Sequence, residues 1–278
     1  PSTATNSPKL IDYLGKVAIV AYKESTDLLQ QYFTESGFDC QVIRQQHKPE
    51  YKNYSQSYLV LLNHCAAWEI ARQATKPTLI VEADFVPVIN FSQLPLTFSP
   101  QQPNVGISWL YTCAPQVYSV SADGYAQGFS TSMVAYIITP QGANHLLELA
   151  EAIASDPGPT GYSSWDSQID GFLRQKKLKN YLPLRNYGEH GGLPNREHHQ
   201  HGLSKSHRAD VLYGKLAFLP MYAGNSRLNF ILIRLKARIK GIARLFLGKF
   251  LRIAVIKGSS VPGRLIKFAL SRQLTLSL

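Results

Sequence analysis

A chain of 278 residues, 45% apolar and 11% aromatic, carries enough nonpolar side chain for a sizeable core in one large domain, or one domain with an appendage, which excludes a mainly disordered protein. Its three cysteines, Cys40, Cys65 and Cys113, stand far apart and outside any CxxC or Cys/His spacing, so they read as buried thiols of a reducing compartment rather than as a zinc or redox centre. The formal charge of +11 belongs to one end: from Asn225 onward the chain has many Lys and Arg and no Asp or Glu, while the remainder is close to neutral.

The opening "PSTATNSPK" is polar and expected to fray, and no secretory pattern follows Pro1. "KVAIVAY" (16–22) predicts a buried strand, "ESTDLLQQYFTESG" (24–37) a helix closed by Gly37, and "FDCQVIR" (38–44) a second strand. "SYLVLLNHCAAWEIARQA" (57–74) has apolar residues at helical spacing and leads into the strand "PTLIVEAD". Strands follow at 104–112, 116–120 and 132–139, then a helix from Pro140 to residue 154. After a Gly/Pro/Ser-rich break come the helix "WDSQIDGFLRQ" (165–175), a strand "NYLPL", and a loop over 186–210 that holds five histidines. The alternation predicts an α/β sandwich with a mostly parallel central sheet. No run reaches the roughly 18 apolar residues of a membrane-spanning helix.

The stretch "TLIVEADFVPV" (78–88) drives an apolar strand into two acids. Successive strand residues face opposite ways, so Glu82 and Asp84 project together and Ala83 away if the strand stays extended through them. Two carboxylates withdrawn from water need a positive partner. Hard oxygen donors suit Mg²⁺ or Mn²⁺, and ligands of open α/β sheets bind at the carboxyl ends of strands. The alternative is pairing with nearby Lys or Arg, or simple solvation at a strand exit.

The segment "LLNHCAAWEIARQATKPTLIVEADFVPV" (61–88) resembles glycosyltransferase family 25, the lipopolysaccharide-biosynthesis galactosyltransferases, in which an "LSH…W" helix precedes an apolar strand ending in "EDD". "GFSTSMVAYIITPQGANHLLELA" (128–150) is similar to that family's "GT…AYIIS…GA..LL" stretch, and "SQIDGFLRQ" (167–175) to its "VD.FL"; order and spacing agree from about residue 16 to 185. The resemblance implies a GT-A-like nucleotide-sugar-binding α/β/α sandwich over 10–224 and metal-dependent transfer of a galactose-like hexose from a UDP-sugar to a saccharide. His64 matches the family histidine, Trp68 its tryptophan, and Glu82 and Asp84 the outer acids of its motif, with Ala83 replacing the middle one and Asn63 the serine. Glu82, Asp84 and His64 are thereby candidates for holding the donor and its Mn²⁺ or Mg²⁺. For the base that takes the acceptor proton, Asp170 matches the family position, and Asp166 lies one turn earlier on the same helical face. His64 also fits a supporting role behind the acidic strand end.

Among His190, His198, His199, His201 and His207 no HExxH framework occurs, so a solvated loop is the plain reading and a metal-dependent hydrolase an alternative. His190, within the Gly-flanked "GEHGG", is the candidate third metal ligand, because a late loop often closes over the diphosphate in GT-A-like enzymes. Arg196, Lys205 and Arg208 add positive charge there. In the tail, 225–278, residues Leu228, Leu232, Leu235, Ile239, Ile242, Phe246, Phe250 and Ile253 form an apolar stripe with basic flanks along one helix over 227–257. Such a helix predicts a peripheral protein on the cytoplasmic face of the cell membrane, bound to anionic lipid and acting on a lipid-linked acceptor. No nucleic-acid motif appears. A non-catalytic scaffold with an enzyme-like domain is the other expectation.

Overall fold

The computed structural model describes residues 8–193, 207–224 and 226–274. Residues 1–7 of the opening segment expected to fray, together with Arg196, His198, His199, His201 and Lys205, lie outside them, while its last two residues are held in place, the Pro8 carbonyl accepting the Leu96 N–H and Lys9 bridging to Pro95. The chain runs α1 (Leu10–Tyr13), β1 (Lys16–Ala21), α2 (Asp27–Glu35), β2 (Cys40–Arg44), α3 (Gln56–Gln73), β3 (Thr78–Glu82), β4 (Phe85–Pro87), β5 (Val105–Trp109), β6 (Gln116–Val120), β7 (Ala126–Phe129) and β8 (Ala135–Ile138). It continues through α4 (Pro140–Ser155), α5 (Trp165–Gln175), β9 (Lys179–Leu182), β10 (Gly188–His190), α6 (Arg227–Phe246), α7 (Ile253–Gly258) and α8 (Pro262–Gln273).

Eight strands form the central sheet in the order β2-β1-β3-β8-β5-β9-β7-β6. The expected parallel character holds in strand direction: β1, β2, β3, β5, β6 and β9 run one way, while β8 and β7 are inserted against them. Strand periodicity divides the core between two faces. Val17, Ile19, Leu79, Val81, Ala135 and Ile137 pack toward α1, α2 and the loops after β4. Ala18, Val20, Ile80, Tyr136 and Ile138, one residue out of phase, pack under α3, α4 and α5. The result is an α/β/α sandwich.

Local chemistry fixes the helix starts. Ser55 caps α3 by accepting the Tyr58 N–H, and Thr139 caps α4 by accepting that of Gly142 behind Pro140. The loop expected over 186–210 contains β10, paired antiparallel with β4 from Gly188 opposite Pro87 to His190 opposite Phe85. Nothing in "GEH" has strand composition; the pairing with β4 imposes it.

The carboxyl-terminal helices, which start at Arg227, lie on the body. Phe250, Leu251, Leu265, Phe268 and Ala269 make a third apolar cluster with Val117, Val120 and Ala126 of the outer strands. The single helix expected over 227–257 is interrupted: α6 ends at Phe246, Gly248 adopts a left-handed φ of 64°, and Phe250 turns inward. Cys113 is buried, Cys40 and Cys65 are half-buried, and all three are free thiols. Burial raises Cys65 to about 12 and Cys40 to about 11, which keeps them protonated and unreactive. Among the described residues no helix is long and apolar enough to cross a membrane.

Candidate metal centre

Strand β3 stops at Glu82, so the extended conformation does not persist through the second acid; Ala83 and Asp84 form a turn before β4. The Ala83 N–H bonds to the Val20 carbonyl, and its side chain leans on the core, away from the acids. The turn brings Asp84 alongside β10, where its carbonyl accepts the Gly191 N–H at 2.8 Å. His190 Nε2 then meets Asp84 Oδ2 at 3.0 Å. One ligand atom from each of Glu82, Asp84 and His190 falls within 4.8 Å of the others. These side chains are 27%, 20% and 21% exposed, so the cluster opens to solvent on one side. It lies at the carboxyl end of β3 beside that of the parallel β1, where the strand order reverses from β2 on one side of β1 to β3 on the other, a switch point of the sheet.

The residues fit a divalent cation. Asp84 Oδ1 and His190 Nδ1 are both buried without a hydrogen-bond partner. Two carboxylates and an imidazole are a donor set for Mn²⁺ or Mg²⁺. The backbone leaves a cradle: a Cβ on Gly192 would come within 2.2 Å of Asp84 Oδ2 and 2.9 Å of His190 Nε2. Burial alone lowers the His190 pKa, but the charges of Asp84 and Glu82 override it and push the imidazole up to about 9. Without a cation, a proton on His190 does part of the neutralising.

Behind the cluster, His64 is fully buried with Nδ1 2.9 Å from the Tyr136 hydroxyl and Nε2 3.4 Å from Glu82 Oε1. Trp68 Nε1 donates to the same hydroxyl at 2.8 Å. Since indole can only donate, the Tyr136 proton is directed to His64 Nδ1, and the Nε2–H tautomer faces Glu82. Asn63 Nδ2 ties α3 to the end of β1 through the Ala21 carbonyl. His64 thus reaches the acids from the core side, through Glu82.

Around β10, Glu189 is fully buried: Oε1 accepts the backbone N–H groups of His190 and Ala209, and Oε2 lies 2.5 Å from Arg234 of α6. Arg208 donates to the carbonyls of His190 and Gly192 while covering the Tyr222 ring at 4.0 Å. Arg208 therefore clamps the glycine turn from outside.

The two candidate bases part company. Asp170 is buried, with Oδ2 accepting from Tyr118, Oδ1 from Asn180 Nδ2, and Arg174 at 3.6 Å. It lines a separate cavity of about 490 Å³ with Tyr118, Arg174 and Asn180. Asp166, at the start of α5, lies within electrostatic reach of Glu82 and His64, and burial followed by the Glu82 charge raises it to about 6. Sequence reasoning missed Tyr136, Glu189 and Arg234. A tyrosine inside the apolar run "AYII" was a usable signal for the first; the ion pair spans 45 residues and has no local signal.

No protein-family model matches the chain, and no curated protein matches it. Solved structures similar to it are glycosyltransferases. One, involved in glycosylation of the major capsid of PBCV-1, has a TM-score of 0.40 at 10% identity, covering 60% of this chain and 81% of that one. A Drosophila β1,4-galactosyltransferase 7 mutant in complex with manganese, UDP-Gal and xylobiose has a TM-score of 0.36 at 10% identity, covering 67% of this chain and 74% of that one. The glycosyltransferase GlyE of Streptococcus pneumoniae has a TM-score of 0.32 at 13% identity, covering 60% of this chain and 45% of that one. At these scores the likeness transfers no ligand and no residue role to this chain.

Proposed function

We propose that this protein is a glycosyltransferase of the family 25 type that moves a galactose-like hexose from a UDP-sugar to a saccharide hydroxyl of a lipopolysaccharide or glycolipid, at the cytoplasmic face of the cell membrane. The observation that carries the reading is the convergence of Glu82, Asp84 and His190 within 4.8 Å, with Asp84 Oδ1 and His190 Nδ1 left buried and unpartnered. These three side chains would hold Mn²⁺ or Mg²⁺, and His64 supports Glu82 from behind. The cation, when bound, supplies positive charge opposite the departing diphosphate.

Asp166 accepts the proton of the acceptor hydroxyl as that oxygen bonds to the anomeric carbon and the sugar–phosphate bond breaks, releasing UDP. A carboxylate held at about 6 is a stronger base than an ordinary aspartate and is still ionised at neutral pH. Asp170, with both oxygens engaged by Tyr118 and Asn180, keeps α5 seated on β9 instead.

A donor screen in Mn²⁺, read as release of free nucleotide, tests the proposal. Turnover with a UDP-hexose, lost in Asp84→Asn while the thermal melt is retained, is the expected result. Undiminished turnover in Asp84→Asn would exclude this centre. Metal-dependent binding without turnover would favour a non-catalytic scaffold, and zinc retention without donor binding a hydrolase.

A further inference from the structure

Helix α6 sits on the body by the wrong face for an ordinary surface helix. Its buried positions are Arg234, Ala237 and Gly241, spaced three and four apart along one side. Gly241 permits the approach, since a Cβ there would meet Asp210 Cβ at 2.6 Å. The inward charges are neutralised: Arg234 pairs with Glu189, and Arg272 of α8 with Asp210 at 2.7 Å. The apolar stripe is left facing out, with Leu228 67%, Leu232 56%, Leu235 47%, Ile239 59% and Phe246 79% exposed. A surface helix normally turns such a stripe to the core.

We infer that this outward stripe is a docking face for an anionic lipid surface, with its leucines and Phe246 in the acyl boundary and exposed lysines at the headgroups. Charge complementarity selects that occupant. Lys236 and Lys240 border the stripe and are exposed, as are Arg264 and Lys267 on α8, and residues 225–278 contain no acid. A second copy bound across a twofold axis would set this basic border against itself. Nucleic acid offers no apolar phase for the stripe. The face extends the lipid-linked part of the proposed function, yet its binding requires neither donor nor metal, so the two readings fail separately.

The test uses the full chain, because removing the tail would uncover Glu189, Asp210 and the third apolar cluster. Co-sedimentation is measured with phosphatidylcholine vesicles with and without phosphatidylglycerol. The intact protein should pellet only with the phosphatidylglycerol vesicles. Leu232→Glu/Ile239→Glu, both at exposed positions, should remove binding with an unchanged melt, and Lys236→Glu/Lys240→Glu should weaken it on the order of tenfold or more. Failure of the intact protein to pellet, equal binding by the Leu232→Glu/Ile239→Glu form, or indifference to phosphatidylglycerol would overturn the inference. So would sedimentation velocity showing a dimer that the same substitutions dissociate.

Discussion

His190 links the centre to pH in a way that separates the free and metal-bound protein. Its folded pKa of about 9 exceeds the ordinary value of 6.5, so protonation of His190 stabilises the apo fold fully below about 6.5, and this contribution disappears as pH rises through 9. The apo melting temperature should therefore fall across that window by more than it does in His190→Gln. Metal binding displaces the same proton, so Mn²⁺ affinity should climb with pH over that range. Equal pH slopes for wild type and His190→Gln in a fluorimetric melt would show that the imidazole is not held by the two acids. At Asp166 the raised pKa, about 6 in the metal-free protein, means that a base is lost as pH falls, and a cation held by Glu82 lowers the pH at which that loss occurs. Asp166→Asn should lower kcat by roughly 10²–10⁴-fold while leaving Mn²⁺ affinity near wild type, and it should abolish the acidic limb of the kcat profile. A variant that keeps that limb would assign the titration to another group.

The β4–β10 ladder is the element that makes a centre of residues 106 positions apart in the chain. It depends on glycine for space rather than for unusual torsion angles. A Cβ on Gly188 would strike the Phe85 ring at 2.4 Å, and one on Gly192 would strike Asp84 and His190. Gly192→Ala is expected to push those ligands apart and weaken Mn²⁺ binding on the order of tenfold to a hundredfold with little change in melting temperature. Titration of free Mn²⁺ by electron paramagnetic resonance measures it, and wild-type affinity in the alanine variant would mean that the cradle is not where the cation binds. The contrast between β3 and β10 explains what the sequence disclosed. β3 is a continuous apolar run with its acids at the exit, and α3, α4 and α5 carry their periodicity and caps locally, so they are legible residue by residue. β10 has no strand-forming side chain and exists only through its partner. The glycines of "GEHGG" hinted at a close approach, but not at which backbone approaches. Asp170 and Asp166 show the same limit. Helical spacing puts both on one face, whereas which neighbour each meets depends on Tyr118, Asn180 and Glu82, residues on three different strands.

Across the whole molecule, the basic carboxyl-terminal helices are joined to β10 and the segment that follows it through the ion pairs Arg234–Glu189 and Arg272–Asp210. Glu189 holds the backbone of His190 with one oxygen and Arg234 with the other, so α6 is two residues' contact away from the centre. Neither partner is satisfactory alone. Burial raises the Glu189 pKa even against the attraction of Arg234, a sign that the carboxylate tolerates its position only because the guanidinium is there. Arg234→Met should cost about 3–5 kcal/mol, the range for leaving one charge of a buried pair uncompensated. It should also weaken Mn²⁺ binding, because a Glu189 that loses Arg234 no longer fixes the His190 backbone. Glu189→Gln keeps the size and an oxygen for the two backbone N–H groups, so in the Arg234→Met background it should recover much of the stability and part of the metal affinity. Urea unfolding and Mn²⁺ titration of the two single variants and the double variant complete the cycle, and a coupling near zero in both readouts would show that α6 leans on the body without supporting the centre.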